Sequence, residues 1–230
     1  MGTLNFIGGE KGGVGKSVVS RVLAQYFIDQ ERTFTGFDTD RSHASFRRFY
    51  ADYASRVVVD SYEGLDLIVS GFEDNPAQSV IVDLAAQTAA PLSRWVKDSD
   101  LIALLQELGV SVNFWHVADA GKDSVDLLQR LIDTYGDLAN YIVVKNMGRG
   151  SDFSLLEDSP ELSYALGIGA RVITLNQLHE ASMRKIDRQN ASFWAAMNNK
   201  SGPDALGMLE RQRVKTWLKS TYAALGELAL

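Results

Sequence analysis

The chain has 230 residues, 46% of them hydrophobic and 23% charged, the balance of a soluble globular protein, and its length suits one α/β domain better than two small ones. Its formal net charge of −6 argues against affinity for nucleic acid over the whole surface, though it leaves room for a local basic face. With no cysteine, a disulfide framework, thiolate-bound zinc and a cysteine-held iron–sulfur cluster are all excluded.

In chain order, residues 3–7 (TLNFI) form a short apolar run stopped by two glycines, which predicts a buried strand. A glycine-rich loop follows, then a helical pattern over 17–30 with Val18, Val22, Leu23, Ala24 and Phe27 at helical spacing. Residues 33–40 (TFTGFDTD) read as a second strand ending in acids, 43–54 as an amphipathic helix, 56–60 as a strand and 62–74 as a helix. The β-branched run at 78–85 predicts a central strand, and 91–109 a helix with proline at its start. Residues 110–119 alternate as a strand, 122–136 as a helix, 140–146 as a strand and 170–178 as the last strand. The stretch 145–162 is rich in glycine and aspartate and reads as a mobile loop with a short helical piece.

Strands alternating with helices predict a single doubly wound, mostly parallel sheet with crossover helices on both faces. No repeat, low-complexity tract or long linker interrupts the series. One domain over 1–230 is expected, with helical segments 177–199 and 204–227 packed on it. No charged-then-apolar leader precedes the first strand and no apolar run is long enough to span a bilayer, so the expected location is cytoplasmic.

The loop reads KGGVGKS at 11–17, between a predicted strand and a predicted helix. In that setting Gly12, Gly13 and Gly15 let backbone N–H groups curl around phosphates in front of the helix N-terminus. Lys16 would reach the β- and γ-phosphates, and the Ser17 hydroxyl would hold Mg²⁺. The strict G-x-x-x-x-G-K-[ST] pattern fails, because Glu10 stands at its first position. The pattern K-G-G-x-G-K-S instead resembles the deviant Walker A loop of the ParA/MinD family of dimerising P-loop ATPases.

That resemblance implies an ATP cradle of Gly12, Gly13, Val14, Gly15, Lys16, Ser17 and Val18. It also implies that Lys11 crosses a homodimer interface to the phosphates of the partner's ATP, which gives the loop's two lysines separate tasks. In the family an acid of a D-x-D motif positions the attacking water; here that is Asp40, with Asp38 nearer the water shell of Mg²⁺. Arg41 and Ser42 stand where relatives often carry Pro-Gln. The plainer alternative for Asp38 and Asp40 is an acid pair capping the next helix. The VIVD run at 80–83 looks like a Walker B strand, giving Asp83 to the metal through water, with Gln87 and Thr88 in the switch region behind it. Relatives place an asparagine at a strand end against adenine, and Asn146 occupies the comparable position; a turn-forming asparagine is the alternative. The likeness covers roughly 1–176.

His43, His116 and His179 show no metal spacing and read as packing or surface, while Trp95, Trp115, Trp194 and Trp217 fall on apolar faces and read as core. Arg184, Lys185, Arg188, Arg211, Arg213, Lys215 and Lys219 gather on the terminal helices. ParA-like proteins bind DNA nonspecifically through such a region; a solvated helix face accounts for the same charges. Val214, Trp217, Leu218, Leu225 and Leu228 share one arc of the last helix, which fits packing on the sheet or a MinD-like membrane surface, and the acids Glu210 and Glu227 favour packing.

The leading expectation is an ATP-hydrolysing dimer switch, stimulated by a partner protein, in plasmid or DNA partition or mobilisation. The alternatives are a small-molecule ligase or synthetase on the same fold, akin to dethiobiotin synthetase, which would need a carboxylate pocket and no Lys11, or a membrane-associated positioning ATPase.

Overall fold

The computed structural model describes residues 2–228 and 230. Seven strands, β1 (Gly2–Gly8), β2 (Phe34–Asp38), β3 (Ala54–Arg56), β4 (Ser79–Asp83), β5 (Val110–Ala118), β6 (Asn140–Asn146) and β7 (Arg171–Leu175), form one sheet in the order β3-β2-β4-β1-β5-β6-β7. Every neighbouring pair is parallel. All strand C-termini therefore share one edge, and the chain reverses its direction of travel across the sheet beside β1, where open α/β sheets place their ligand crevice.

The central strands are buried on both faces, so they read as dense apolar runs rather than alternating ones. Side chains still divide by parity. Leu4, Phe6, Val80 and Val82 enter one core beneath α3 (Tyr62–Val69), α4 (Ala89–Asp98), α5 (Leu101–Glu107), α6 (Asp123–Tyr135) and α8 (Pro160–Gly167). Ile7, Ile81 and Trp115 enter the other, beneath α1 (Lys16–Asp29), α2 (Ser45–Phe49), α9 (Glu180–Gln189), α10 (Phe193–Asn198) and α11 (Met208–Gly226). Polar atoms inside the sheet are paired with one another: the Asn5 side-chain Oδ1 accepts from Asn113 Nδ2 at 3.0 Å and from Trp115 Nε1 at 3.1 Å.

The terminal helices are tied to α1 at the polar centre of the second core. The Arg21 guanidinium is buried, lies 3.6 Å from the centroid of the Phe49 ring and donates to Asp187 on α9 at 2.9 Å. Gln25 accepts from Tyr50 O–H at 3.0 Å and from the N–H of Trp194 at 3.0 Å. Val214, Trp217, Leu218, Leu225 and Leu228 are all buried in that core, so the apolar arc of α11 faces the protein.

Several elements depart from the sequence pattern, each for a local reason. The helix expected over 91–109 breaks into α4 and α5 at Asp100, which takes a left-handed φ of 45°. The segment 177–199 breaks likewise at Asn190 (φ 49°), and Ser192 caps the new helix by accepting from the N–H of Ala195 at 3.1 Å. The amphipathic stretch 43–54 is helical only over α2, and of the strand expected at 56–60 only Arg56 lies in a strand, the short edge strand β3; Val57 and Val59 are buried beyond its end, and the Val57 N–H donates to the Asp38 carbonyl at 3.0 Å. The expected mobile loop is instead packed: Phe153 and Leu156 are buried around α7 (Ser154–Glu157), and Ser159 caps α8 ahead of Pro160. Trp95, Trp115 and Trp217 are core residues as expected, whereas Trp194 is exposed, because α10 turns Phe193 inward in its place.

Candidate phosphate-binding site

The loop from Gly9 to Gly15 joins β1 to α1 at the sheet's C-terminal edge. Gly13 and Gly15 have φ of 78° and 102°, conformations that L side chains rarely adopt. At Gly15 a Cβ would also fall 2.2 Å from the Asn146 Nδ2 atom, whereas at Gly12 and Gly13 it would meet nothing within 4 Å. Open space thus lies over the loop where an anion would rest. Gly15 gives α1 no side-chain cap; the N–H of Val18 turns back to the Gly15 carbonyl at 3.0 Å, and the N-terminus of α1 faces the loop.

Lys16 is buried and its Nζ donates to the Lys11 carbonyl at 2.8 Å. Burial lowers its pKa, while the charges of Asp83 and Asp40 pull it back up. Asp83, at the end of β4, is pushed up to about 7 by burial; the hydroxyls of Ser17 and Ser20 and the charge of Lys16 work against that rise, and Asp38 adds to it. The Ser20 Oγ lies 3.0 Å from Asp83 Oδ1. A carboxylate and two hydroxyls beside an open cradle form a hard-oxygen donor set suited to Mg²⁺, which takes few protein ligands and completes its shell with water and phosphate. Among the described residues no group of three or more His, Cys, Asp or Glu could hold a metal ion.

Asp38 and Asp83 are register partners across β2 and β4. Asp38 is fully buried, and its two oxygens accept from the N–H groups of Asp40 (2.9 Å) and Arg47 (3.0 Å). It thereby fastens the start of α2 to the strand. Asp40 turns away into its own loop, accepting from the N–H groups of Ser42 (2.8 Å) and His43 (3.0 Å). Burial raises its pKa, but those N–H groups and His43 outweigh burial and hold it low, so it is an ionised, partly exposed carboxylate.

Asn146 is buried: its Nδ2 donates to the Val14 carbonyl at 2.7 Å and its Oδ1 accepts from the N–H of Gly148 at 3.0 Å. The amide clamps the glycine loop to the turn after β6, the turn-forming role with a second hold on the loop. Gln87 is exposed with a left-handed φ of 66°, and the Thr88 hydroxyl donates to the Ala85 carbonyl at 2.9 Å.

Lys11 does not extend into solvent. Its Nζ lies 2.9 Å from Asp119, in the turn after β5, and 3.2 Å from Asp123, the first residue of α6, and these acids raise its pKa. Asp119 is itself fixed by the Ser124 hydroxyl at 2.8 Å and the N–H of Gly121 at 3.1 Å.

Four residues join the site that the motifs alone leave out: Asp119, Asp123, Ser20 and Thr39. Thr39 donates to the Asp83 carbonyl at 3.1 Å and accepts from the N–H of Ala85 at 2.8 Å, linking the loops after β2 and β4. The available signal was that VAD at 117–119 closes a dense strand with an acid, as VIVD at 80–83 does.

No family model matches the chain. It is similar to two proteins named TraL from Escherichia coli, at 29% identity over 124 residues and 30% over 122, in each case half of either chain. The chain thus spans about half the length of these relatives. It is also similar to Protein MobD of Acidithiobacillus ferrooxidans, at 26% identity over 163 residues, 68% of this chain and 70% of MobD. Among solved structures it resembles a nucleotide-binding protein in complex with ADP from Archaeoglobus fulgidus, at 14% identity and a TM-score of 0.52, covering 81% of this chain and 86% of the other. The two share an α/β fold built on a parallel sheet flanked by helices.

Proposed function

We propose that the chain is a P-loop ATPase that ATP converts from monomer to homodimer, serving plasmid transfer or mobilisation. The observation that carries this reading is the glycine cradle with Lys16 buried beside the Ser17–Asp83 pair; the likeness to TraL and MobD supports the setting. Lys16 leaves the Lys11 carbonyl for the β- and γ-phosphates of ATP, and α1 presents its N-terminus to the same charge. Ser17 and Asp83 hold Mg²⁺, which when bound neutralises charge growing between the β- and γ-phosphates. Ser20 keeps the Asp83 carboxylate aimed at that position, and Asp38 contributes charge from behind. Asp40, released from its turn, orients the water that attacks the γ-phosphate and accepts its proton, giving ADP and phosphate.

Lys11 is the switch element. Held by Asp119 and Asp123 in the isolated chain, it exchanges them for the phosphates of the partner's ATP when two copies meet. Partly exposed ion pairs contribute about 1 kcal/mol or less each, so a triphosphate can outcompete them. An activating partner protein and nonspecific duplex DNA belong to the same proposal.

ATP binding and turnover of Lys16→Ala and Asp40→Ala test the assignment. Lys16→Ala is expected to lose both, whereas Asp40→Ala keeps ATP and loses turnover by about 10²-fold or more. Undiminished turnover in Lys16→Ala would overturn it.

A further inference from the structure

β2 and β4 pair in register as far as Asp38 and Asp83, and both chains then leave the sheet toward the site. The Thr39 N–H makes the last ladder bond, to the Asp83 carbonyl at 3.1 Å. In a continuing parallel ladder the next bond would run from the Ala85 N–H to the Thr39 carbonyl. Here the Thr39 hydroxyl takes that N–H instead, at 2.8 Å, and itself donates to the Asp83 carbonyl at 3.1 Å. The side chain thus stands in for its own backbone carbonyl at the point where the strands part. Thr39 is buried, so both hydrogen-bonding functions of its hydroxyl are committed to the loop after β4. The Ala85 carbonyl in turn accepts from the Thr88 hydroxyl at 2.9 Å, so Ala85 is held at both its N–H and its carbonyl.

This bridge joins the two loops that carry the hydrolysis proposed above. Asp40 follows Thr39 directly, and Ala85 stands two residues beyond Asp83. Thr39 is therefore the pivot from which the Asp40 loop leaves the sheet, fixed relative to the acid assigned to Mg²⁺. Hydrolysis needs the attacking water in line with the γ-phosphate, and a misplacement of about 1 Å can cost on the order of 10²-fold in rate. Valine has the shape of threonine but neither donates nor accepts, so it would leave the Ala85 N–H without its acceptor and the two loops free to part. Resting on the ATPase reading, we infer that Thr39 is a positioning residue: its hydroxyl fixes the loop of Asp40 against the loop after Asp83 and so sets where the water oriented by Asp40 meets the phosphate. Because that hydroxyl is committed to backbone, ATP affinity rests on Lys16 and the glycine loop without it.

The test compares the full chain with Thr39→Val and Thr39→Ser for ATP turnover with Mg²⁺, for ATP binding and, without nucleotide, for hydrogen exchange of the Ala85 amide. Thr39→Val is expected to lose about tenfold or more in kcat while its Kd for ATP moves by less than about threefold. Its Ala85 amide is expected to exchange about tenfold faster or more, having lost its acceptor. Thr39→Ser keeps the hydroxyl and is expected to restore both kcat and the slow exchange. In an Asp40→Ala background, Thr39→Val is expected to cost less than about threefold more, since the group it positions is already gone. If Thr39→Val melts below the assay temperature, Thr39→Cys, a weak hydrogen-bonding group of similar size, takes its place, with intermediate kcat and exchange expected. An undiminished kcat beside an active wild type, an equal loss in Thr39→Ser, the full loss repeated on top of Asp40→Ala, or an unchanged Ala85 exchange rate would each overturn the role of Thr39 alone. A wild type without ATP turnover would instead overturn the ATPase reading, and this inference with it.

Discussion

The Lys11 ammonium lies 2.9 Å from the Asp119 carboxylate of its own chain, with Asp123 at 3.2 Å on its other side. The lysine that the family resemblance assigns to a neighbouring subunit is thus engaged by acids of its own chain. Asp119 is held in turn by Ser124 and Gly121, so the contact has a preorganised acceptor rather than two mobile side chains.

Removing that acceptor should favour the dimer. Asp119→Asn keeps the hydrogen bonds of the turn but lacks the charge, and the ion pair's worth of about 1 kcal/mol or less corresponds to a shift of up to about fivefold. The variant is expected to dimerise at a several-fold lower ATP concentration than the wild type, measured by sedimentation across an ATP series. A midpoint unchanged or moved upward counts against a competing role for Asp119.

Arg21 makes a prediction about stability. Its guanidinium is buried against Phe49 and Phe193, yet Nε and Nη2 find no partner and only Nη1 reaches Asp187. A buried cation so incompletely paired is costly, and an apolar residue of similar length can replace it without loss. Arg21→Met is expected to be within about 1 kcal/mol of the wild type or more stable, whereas Arg21→Ala, which leaves a cavity, should lose about 2–4 kcal/mol in urea unfolding. Equal losses in the two variants would show that the charge itself holds the terminal helices.

His116 makes a prediction about pH. It is buried, with Nε2 2.7 Å from the Ser124 carbonyl, and burial pushes its pKa down to about 4 from an ordinary value of 6.5. Between those values the unfolded chain binds more protons than the folded one, so the contribution is complete above pH 6.5 and lost as pH falls toward 4. The whole effect is on the order of 3 kcal/mol. Asp83 works in the opposite sense, since its raised pKa gives a contribution that is lost as pH rises toward 7. The comparison is therefore with His116→Gln, which retains a donor: its stability relative to the wild type should improve steadily from pH 6.5 to 4. Parallel profiles would contradict this.

Much of the fold was legible because strand and helix patterns in a parallel α/β sheet are strong: SVIVD at 79–83 is buried at every position, and α1, β5, α6 and β6 fall where periodicity puts them. What escaped was set by single residues or by distance. Asp100 and Asn190 break helices through left-handed backbone, which spacing does not reveal. Ser159 before Pro160 was a visible cap signal in a stretch whose glycines and aspartates suggested a loop. In the site, Lys16, Ser17 and Asp83 come together as the motifs require, because strand order carries them there. Asp38 and Asn146 could not be assigned from sequence, because their partners, Arg47 and Val14, are chosen by tertiary packing. Asp119 lies 108 residues from Lys11, beyond the reach of any local pattern.

The most direct test of the switch is the solution mass of wild type and Lys11→Ala, measured by light scattering with ATP and Mg²⁺, with ADP, and without nucleotide. The wild type is predicted to double its mass with ATP alone, while Lys11→Ala binds ATP yet remains a monomer. A wild type that stays monomeric with ATP, or a Lys11→Ala protein that dimerises as readily, would contradict the account.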